Sequence, residues 1–134
     1  MKLALVTPAA RRQERRERLR RSHATALALR EVFPGLQQLR LEFVFRGPTS
    51  TTPAMQSRTL HAAAPAFFAF PCPYADCDGE FDLSTAVSAA IADPKHHTEG
   101  ELECTGRRPM RTGPSELCRL PLNYTVTAIF QADK

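Results

Sequence analysis

The sequence predicts an α+β fold: a four-stranded antiparallel sheet with one covering helix, preceded by a basic N-terminal helix. Three observations lead there. Apolar and polar residues alternate through 39–46 and 119–131, which is the period of a half-buried strand. Apolar residues recur at helical spacing through 83–92. Four cysteines fall in two pairs beside predicted strand ends. At 134 residues the chain has the length of one ordinary domain, and a hydrophobic fraction of 43% suffices for one core.

Thr7-Pro8 reads as a helix start, with a hydroxyl N-cap and proline at the first helical position. A helical pattern then runs from about Ala9 to Val32 and stops before Pro34-Gly35. Its first half is nearly all charge, and its composition suits a solvated helix or a disordered arm. Its second half carries an apolar stripe of Leu19, Ala26, Leu29 and Phe33 that can dock on a core. Leu39, Leu41, Phe43 and Phe45 point to one side of the first strand, and Gln38, Arg40, Glu42 and Arg46 to the other. Gly47 to Pro53 is a loop by composition. Leu60, Ala62, Ala64, Ala66, Phe68 and Phe70 share a parity, so 60–70 is expected to be a strand, bent or at an edge near Pro65. Asp82 is expected to cap the helix 83–92, whose apolar face is Leu83, Val87, Ala90 and Ile91 and which Asp93-Pro94 stops. Gly100 to Cys104 is a short strand. Arg119 to Gln131 alternates most cleanly of all. Shared parity within each strand leads to the expected spatial order 39–46, 60–70, 119–131, 100–104. Residues 1–34 form a basic helix or arm, and residues 35–134 the α+β domain.

The charge is unevenly placed. Residues 1–34 hold nine Lys/Arg against three acids, a balance of +6, and residues 35–134 hold nine against eleven, a balance of −2. The absence of Trp, with two Tyr and eight Phe, leaves no aromatic platform for stacking bases. Met1 to Val6 has only a short apolar stretch and is followed by arginines, unlike a secretory signal, and Glu14 and Glu17 are unlike a mitochondrial targeting peptide. No apolar run approaches the roughly 18–20 residues that span a bilayer. The expected location is cytoplasmic, where thiols stay reduced.

That expectation bears on Cys72, Cys77, Cys104 and Cys118. The first two form a Cys-x4-Cys knuckle within Pro71 to Gly79, and the second two flank the loop 105–117. Zinc takes four tetrahedral ligands, and structural sites leave no position open, so four cysteines make a closed set. If 100–104 and 119–131 form an antiparallel hairpin, Cys104 and Cys118 lie side by side at its loop end. If 60–70 runs antiparallel to 119–131, Cys72 arrives at the same end. One structural zinc ion then joins all four. Two other readings remain: buried core thiols, or two disulfides, which a reducing compartment disfavours.

Over about residues 60–131 this set resembles zinc-ribbon-like domains with four cysteine ligands, where paired ligand turns clamp one metal. The chain departs from them in having four residues within the first knuckle and a helix between the pairs. The resemblance implies a shared metal site. Ribbon domains serve transcription, translation and protein assembly, so it narrows the task only slightly.

Other constellations carry less. Asp76, Asp78, Glu80 and Asp82 have the composition of a calcium loop but lack its downstream Glu, and they read as turn residues plus one N-cap. His96-His97 are adjacent and so point different ways, the pattern of exposed loop histidines. His23 and His61 show no partner in the sequence. No phosphate loop, dinucleotide fingerprint or hydrolase elbow is present. No small-molecule substrate is suggested.

The arginines of the N-terminal helix (Arg11, Arg12, Arg15, Arg16, Arg18, Arg20, Arg21) and of the loop (Arg107, Arg108, Arg111) are the candidate partner-binding residues. As an arm they suit phosphates of nucleic acid. They equally suit a solvated helix laced with Glu14 and Glu17. The expected function is a non-enzymatic, zinc-stabilised binding or adaptor protein, engaging a nucleic-acid machine such as a ribosome or RNA polymerase. The alternatives are a protein-binding subunit with an acidic partner and no nucleic acid, or a thiol-dependent enzyme.

Overall fold

The structure is a computed structural model that describes residues 7–46, 55–109 and 114–130. The expected loop 47–53, the end of the last strand at Gln131, and Arg111 lie outside the described residues.

The architecture is α+β, with an antiparallel four-stranded sheet, a helix packed on it and a basic helix at the N-terminus. Helix α1 spans Pro8–Thr25. Its N-cap is Thr7, whose Oγ1 accepts from the Ala10 N–H at 3.0 Å, with proline at the start of the first turn. A short α2 spans Leu29–Val32. Strand β1 is Leu36–Phe45, β2 Gln56–His61, β3 Ala69–Pro71 and β4 Glu80–Asp82. Helix α3 is Ser84–Ala92, followed by β5 His97–Glu103. Two-residue strands β6 Arg107–Arg108 and β7 Glu116–Leu117 pair with each other, and β8 is Pro121–Phe130.

The sheet order is β2-β1-β8-β5, all antiparallel. This corrects the expected order. The strand 39–46 sits next to 119–131, and the segment beginning at Leu60 lies outside it. The reason is burial. Leu39, Leu41, Phe43 and Phe45 are all buried, which a central position achieves. Strand β2, Gln-Ser-Arg-Thr-Leu-His, has only half-buried Leu60 to offer and takes a polar edge.

Residues 60–70 are not one strand either. Strand β2 stops at His61, and the chain turns, with the Ala64 N–H donating to the His61 carbonyl. It resumes only at β3, which pairs with β4 in a separate ribbon. Pro65 has no N–H to donate to a ladder, and the alanines around it lack the side chains that hold a pleated surface. Their backbone serves the N-terminal segment instead. Leu29 N–H donates to Ala64 O at 2.8 Å, Arg30 N–H to Ala62 O at 2.9 Å, and Ala66 N–H to Leu27 O at 2.7 Å. These bonds hold Ala26 and Ala28 extended, so the helix expected through Val32 is split in two.

The core is a single cluster. On the sheet face it takes Leu39, Leu41, Phe43, Phe45, Leu122 and Val126; α3 adds Ala86, Val87 and Ala90. Helix α3 packs on β5 and β8. Phe70 of the ribbon stacks on Phe43 at 4.7 Å between centroids and on Phe81 at 5.7 Å. The ribbon is thereby anchored to the sheet just before Cys72. Among the described residues, no helix is long and apolar enough to cross a membrane.

Candidate metal centre

Each of the four cysteines is delivered by a short strand or its flank. Cys72 follows β3, and its N–H donates to Gly79 O at 3.1 Å, closing the first knuckle. Cys77 sits in that knuckle, its N–H bonded to Tyr74 O at 3.1 Å. Cys104 directly follows β5, which pairs with β8 as the expected hairpin. Its N–H donates to Leu120 O at 2.9 Å, and the Cys118 N–H donates to Gly106 O at 2.9 Å. Cys72 therefore reaches the site from the β3–β4 ribbon, and not from a strand of the main sheet.

The four Sγ atoms all lie within 4.8 Å of one another. Cys72 Sγ and Cys118 Sγ are 3.8 Å apart, and Cys77 Sγ and Cys104 Sγ 3.6 Å. A tetrahedral ion with sulfur bonds of about 2.3 Å places its donors about 3.8 Å from one another. All four cysteines are free thiols, and both contacts are well beyond the roughly 2.05 Å of a disulfide bond. The cluster fits one metal ion held by four thiolates.

The backbone also prepares the site for negative sulfur. Gly79 N–H donates to Cys77 Sγ at 3.3 Å, and Gly106 N–H to Cys104 Sγ at 3.4 Å. The two knuckles are thus matching Cys-x-Gly turns, Cys77-Asp78-Gly79 and Cys104-Thr105-Gly106. The glycines face each other so closely that a Cβ on Gly79 would stand 2.5 Å from Cys104 Sγ and 2.8 Å from the Gly106 Cα. This doubled tripeptide was present in the sequence and is the signal that links the two pairs.

In the thiol form, the neighbouring Cys72 thiol holds Cys104 down to about 6. The Cys104 sulfur, together with burial, raises Cys72. Burial pushes Cys77 up to about 12. Three of the sulfurs are buried, and Cys118 is half-buried.

Helix α1 closes over the first knuckle. Arg11, Arg15 and Arg18 stand at i, i+4 and i+7 on one face. Arg11 Nε donates to Asp78 Oδ2 at 2.9 Å, and Arg18 pairs with Glu80. Arg15 Nη1 donates to Cys77 O at 2.7 Å and to Gly79 O at 2.6 Å. The bond to Glu80 raises the pKa of Arg18. These arginines are not a freely solvated arm.

The remaining predicted arginines divide. Arg108 pairs with Asp76 at 2.8 Å and lies 4.1 Å over the Tyr74 ring. Arg107 donates through its backbone to Asp78 Oδ1 and through its side chain to Ser115 O. Arg12 Nη1 reaches Asp76 O at 3.4 Å. Arg16, Arg20 and Arg21 are exposed and have no side-chain partner among the described residues. The acidic run is fully employed: Asp76, Asp78 and Glu80 meet arginines, and Asp82, one residue before the N-cap Leu83 rather than the cap itself, accepts from the Ser84 N–H at 2.8 Å. His96 packs on Phe130, and His97 bonds Thr127 and Glu99.

No protein-family model, curated protein or solved structure matches the chain.

Proposed function

We propose that the chain is a non-enzymatic binding module stabilised by one structural zinc ion, with Cys72, Cys77, Cys104 and Cys118 as its four ligands. The observation that carries this reading is the mutual approach of the four sulfurs within 4.8 Å. A four-thiolate set leaves no coordination position for a substrate or an activated water, so the ion acts structurally and not as a catalyst. Soft sulfur donors in a tetrahedron suit zinc or iron, a closed four-cysteine set is the usual structural zinc site, and reduced cytoplasmic thiols are the form in which it binds.

Four thiolates and one divalent cation carry a net charge of −2. Arg15 holds the carbonyls of Cys77 and Gly79 and Arg11 pairs with Asp78 between them, while the Gly79 and Gly106 N–H groups point at the sulfurs. The metal and the basic helix therefore support each other. The module's partner is anionic, such as the surface of a ribosome or RNA polymerase, and the arginines left outside the clamp make the contact. An acidic protein partner without nucleic acid is the other reading of the same charge.

Elemental analysis of purified protein is the test. One zinc per chain, with the four thiols protected from a thiol reagent until a chelator is added, is the expected result. No zinc and four freely titrating thiols in the native state would end the proposal. A pull-down repeated after nuclease treatment separates the two partner classes.

A further inference from the structure

We propose that the outward edge of α1, formed by Arg12, Arg16 and Arg20, is a docking surface for the phosphate backbone of double-stranded DNA. This deepens the binding-module reading and rests on it.

The two sides of α1 have different fates. Arg11 and Arg15 are bonded to the knuckle and Arg18 to Glu80 of β4, and Leu19 is buried beside them. Arg12, Arg16 and Arg20 follow one another at i, i+4 and i+8 along a neighbouring edge. Successive members stand one turn apart, about 6 Å along the axis, and the three span about 12 Å. Arg12 is half-buried and donates through Nη1 to the Asp76 carbonyl at 3.4 Å; the bond is long, and the guanidinium carries further N–H donors for a phosphate. Arg16 and Arg20 are exposed, with no partner among the described residues.

What this edge lacks selects the partner. Gln13, Arg16, Glu17 and Arg20 supply no apolar side chain. A protein interface is anchored by aromatic or aliphatic residues in desolvated pockets, whereas phosphate contacts need only positioned cations. Arginine adds a planar fork that matches phosphate oxygens. Single strands are gripped by stacking bases on aromatic rings, and α1 holds no Phe, Tyr or Trp, while its one imidazole, His23, packs edge-on to Phe67. α1 is held against the knuckle along its inner side, so only its outward arginines reach the partner, and they meet backbone phosphates rather than base edges; B-DNA offers such a row one negative charge per roughly 1.7 Å of helix axis, about twice the density along a single strand. The inner arginines hold the helix in place before the partner arrives, so little ordering is left to cost affinity.

The test uses the full, zinc-loaded chain and a fluorescently labelled DNA duplex of mixed sequence, with affinity read by anisotropy across a salt series. Three phosphate contacts predict a slope of log K against log salt near −2.7. The triple variant Arg12→Gln, Arg16→Gln, Arg20→Gln should flatten the slope by about 0.9 per contact and lose duplex binding. Arg30→Gln, on α2 and outside the stripe, should leave both unchanged. Circular dichroism and zinc content verify that the triple variant is folded. An unchanged slope in that variant overturns the proposal. So does tighter binding to single-stranded RNA, to an RNA duplex or to polyglutamate than to duplex DNA. A folded, zinc-loaded chain that binds no duplex overturns the docking surface alone and leaves the metal site standing. A chain that purifies without zinc overturns the binding-module reading whatever it binds.

Discussion

The Arg15 guanidinium donates to the carbonyl oxygen of Cys77 at 2.7 Å, and the same nitrogen reaches Gly79 O at 2.6 Å. One basic side chain of the N-terminal helix thus holds both ends of the Cys-x-Gly turn that carries a proposed metal ligand. Arg15→Ala removes a charge-assisted pair of bonds from two knuckle carbonyls. The expected loss is roughly 1–3 kcal/mol, concentrated in α1. Amide hydrogen exchange should show lost protection across Pro8–Thr25, with the four main strands unchanged. Arg15→Lys keeps the charge on a shorter side chain, and its loss should fall between none and that of Arg15→Ala.

Gly79 and Gly106 are required because their backbones nearly touch. A methyl on Gly79 meets Cys104 Sγ at 2.5 Å and the Gly106 backbone at 2.8 Å, and neither is the far end of a flexible side chain. Gly79→Ala should cost at least about 1–3 kcal/mol, as overpacking does, and lower the bound metal below one equivalent. Melting temperature and metal stoichiometry measured together check this. A variant that keeps both contradicts it.

Metal uptake should release protons and strengthen as pH rises. In the metal-free site, Cys77 is pushed up to about 12 and Cys72 is raised, so both are thiols at neutrality, whereas Cys104 is held down to about 6. The metal must displace the protons of the raised thiols. As pH falls through about 6, Cys104 is protonated too and affinity drops further. Competition with a chromophoric chelator over a pH series reads the slope. An affinity that rises as pH falls contradicts the assignment.

Chelation of the metal should free α1 before it unfolds the sheet. The bonds of α1 are to the knuckle, whereas β1 and β8 are held by nine paired positions between Leu36–Phe45 and Pro121–Phe130. Limited proteolysis after chelation should cut first among the arginines of α1. First cleavage within β8 contradicts this order.

Phe70→Ala should destabilise the fold by about 3–5 kcal/mol, the usual cost of emptying a buried aromatic site. Phe70 lies between Phe43 and Phe81 and joins the ribbon to the sheet two residues before Cys72. Urea unfolding should show a lower midpoint with an unchanged m-value. Metal binding should weaken along with it.

Much of the fold was legible because it rests on local chemistry. Thr7-Pro8 starts α1, since a cap needs only its own few residues; Asp82 bonds the first N–H of α3 from one residue before the N-cap Leu83. The β5–β8 hairpin followed from alternation on either side of a turn-rich loop, and it brought Cys104 and Cys118 together as expected. The four-cysteine set followed from count and spacing alone. The segment 60–70 was misread because a shared parity is blind to which backbone donors and acceptors are used elsewhere. Ala62 and Ala64 spend their carbonyls on α2, and Pro65 offers no N–H.

What the sequence by itself determined is therefore the start of α1, helix α3, strands β1, β5 and β8 with their apolar faces, and the chemistry of the four sulfurs, all of which depend on residue type and short-range spacing. Only the tertiary structure decided which strand took the centre of the sheet, where Cys72 came from and which arginines remained outside. A strand's place depends on which neighbour buries its face best. A charge's role depends on what faces it: Arg15 and Arg16 are adjacent and chemically identical, but a helix turns about 100° between them, so one grips the knuckle and the other meets solvent.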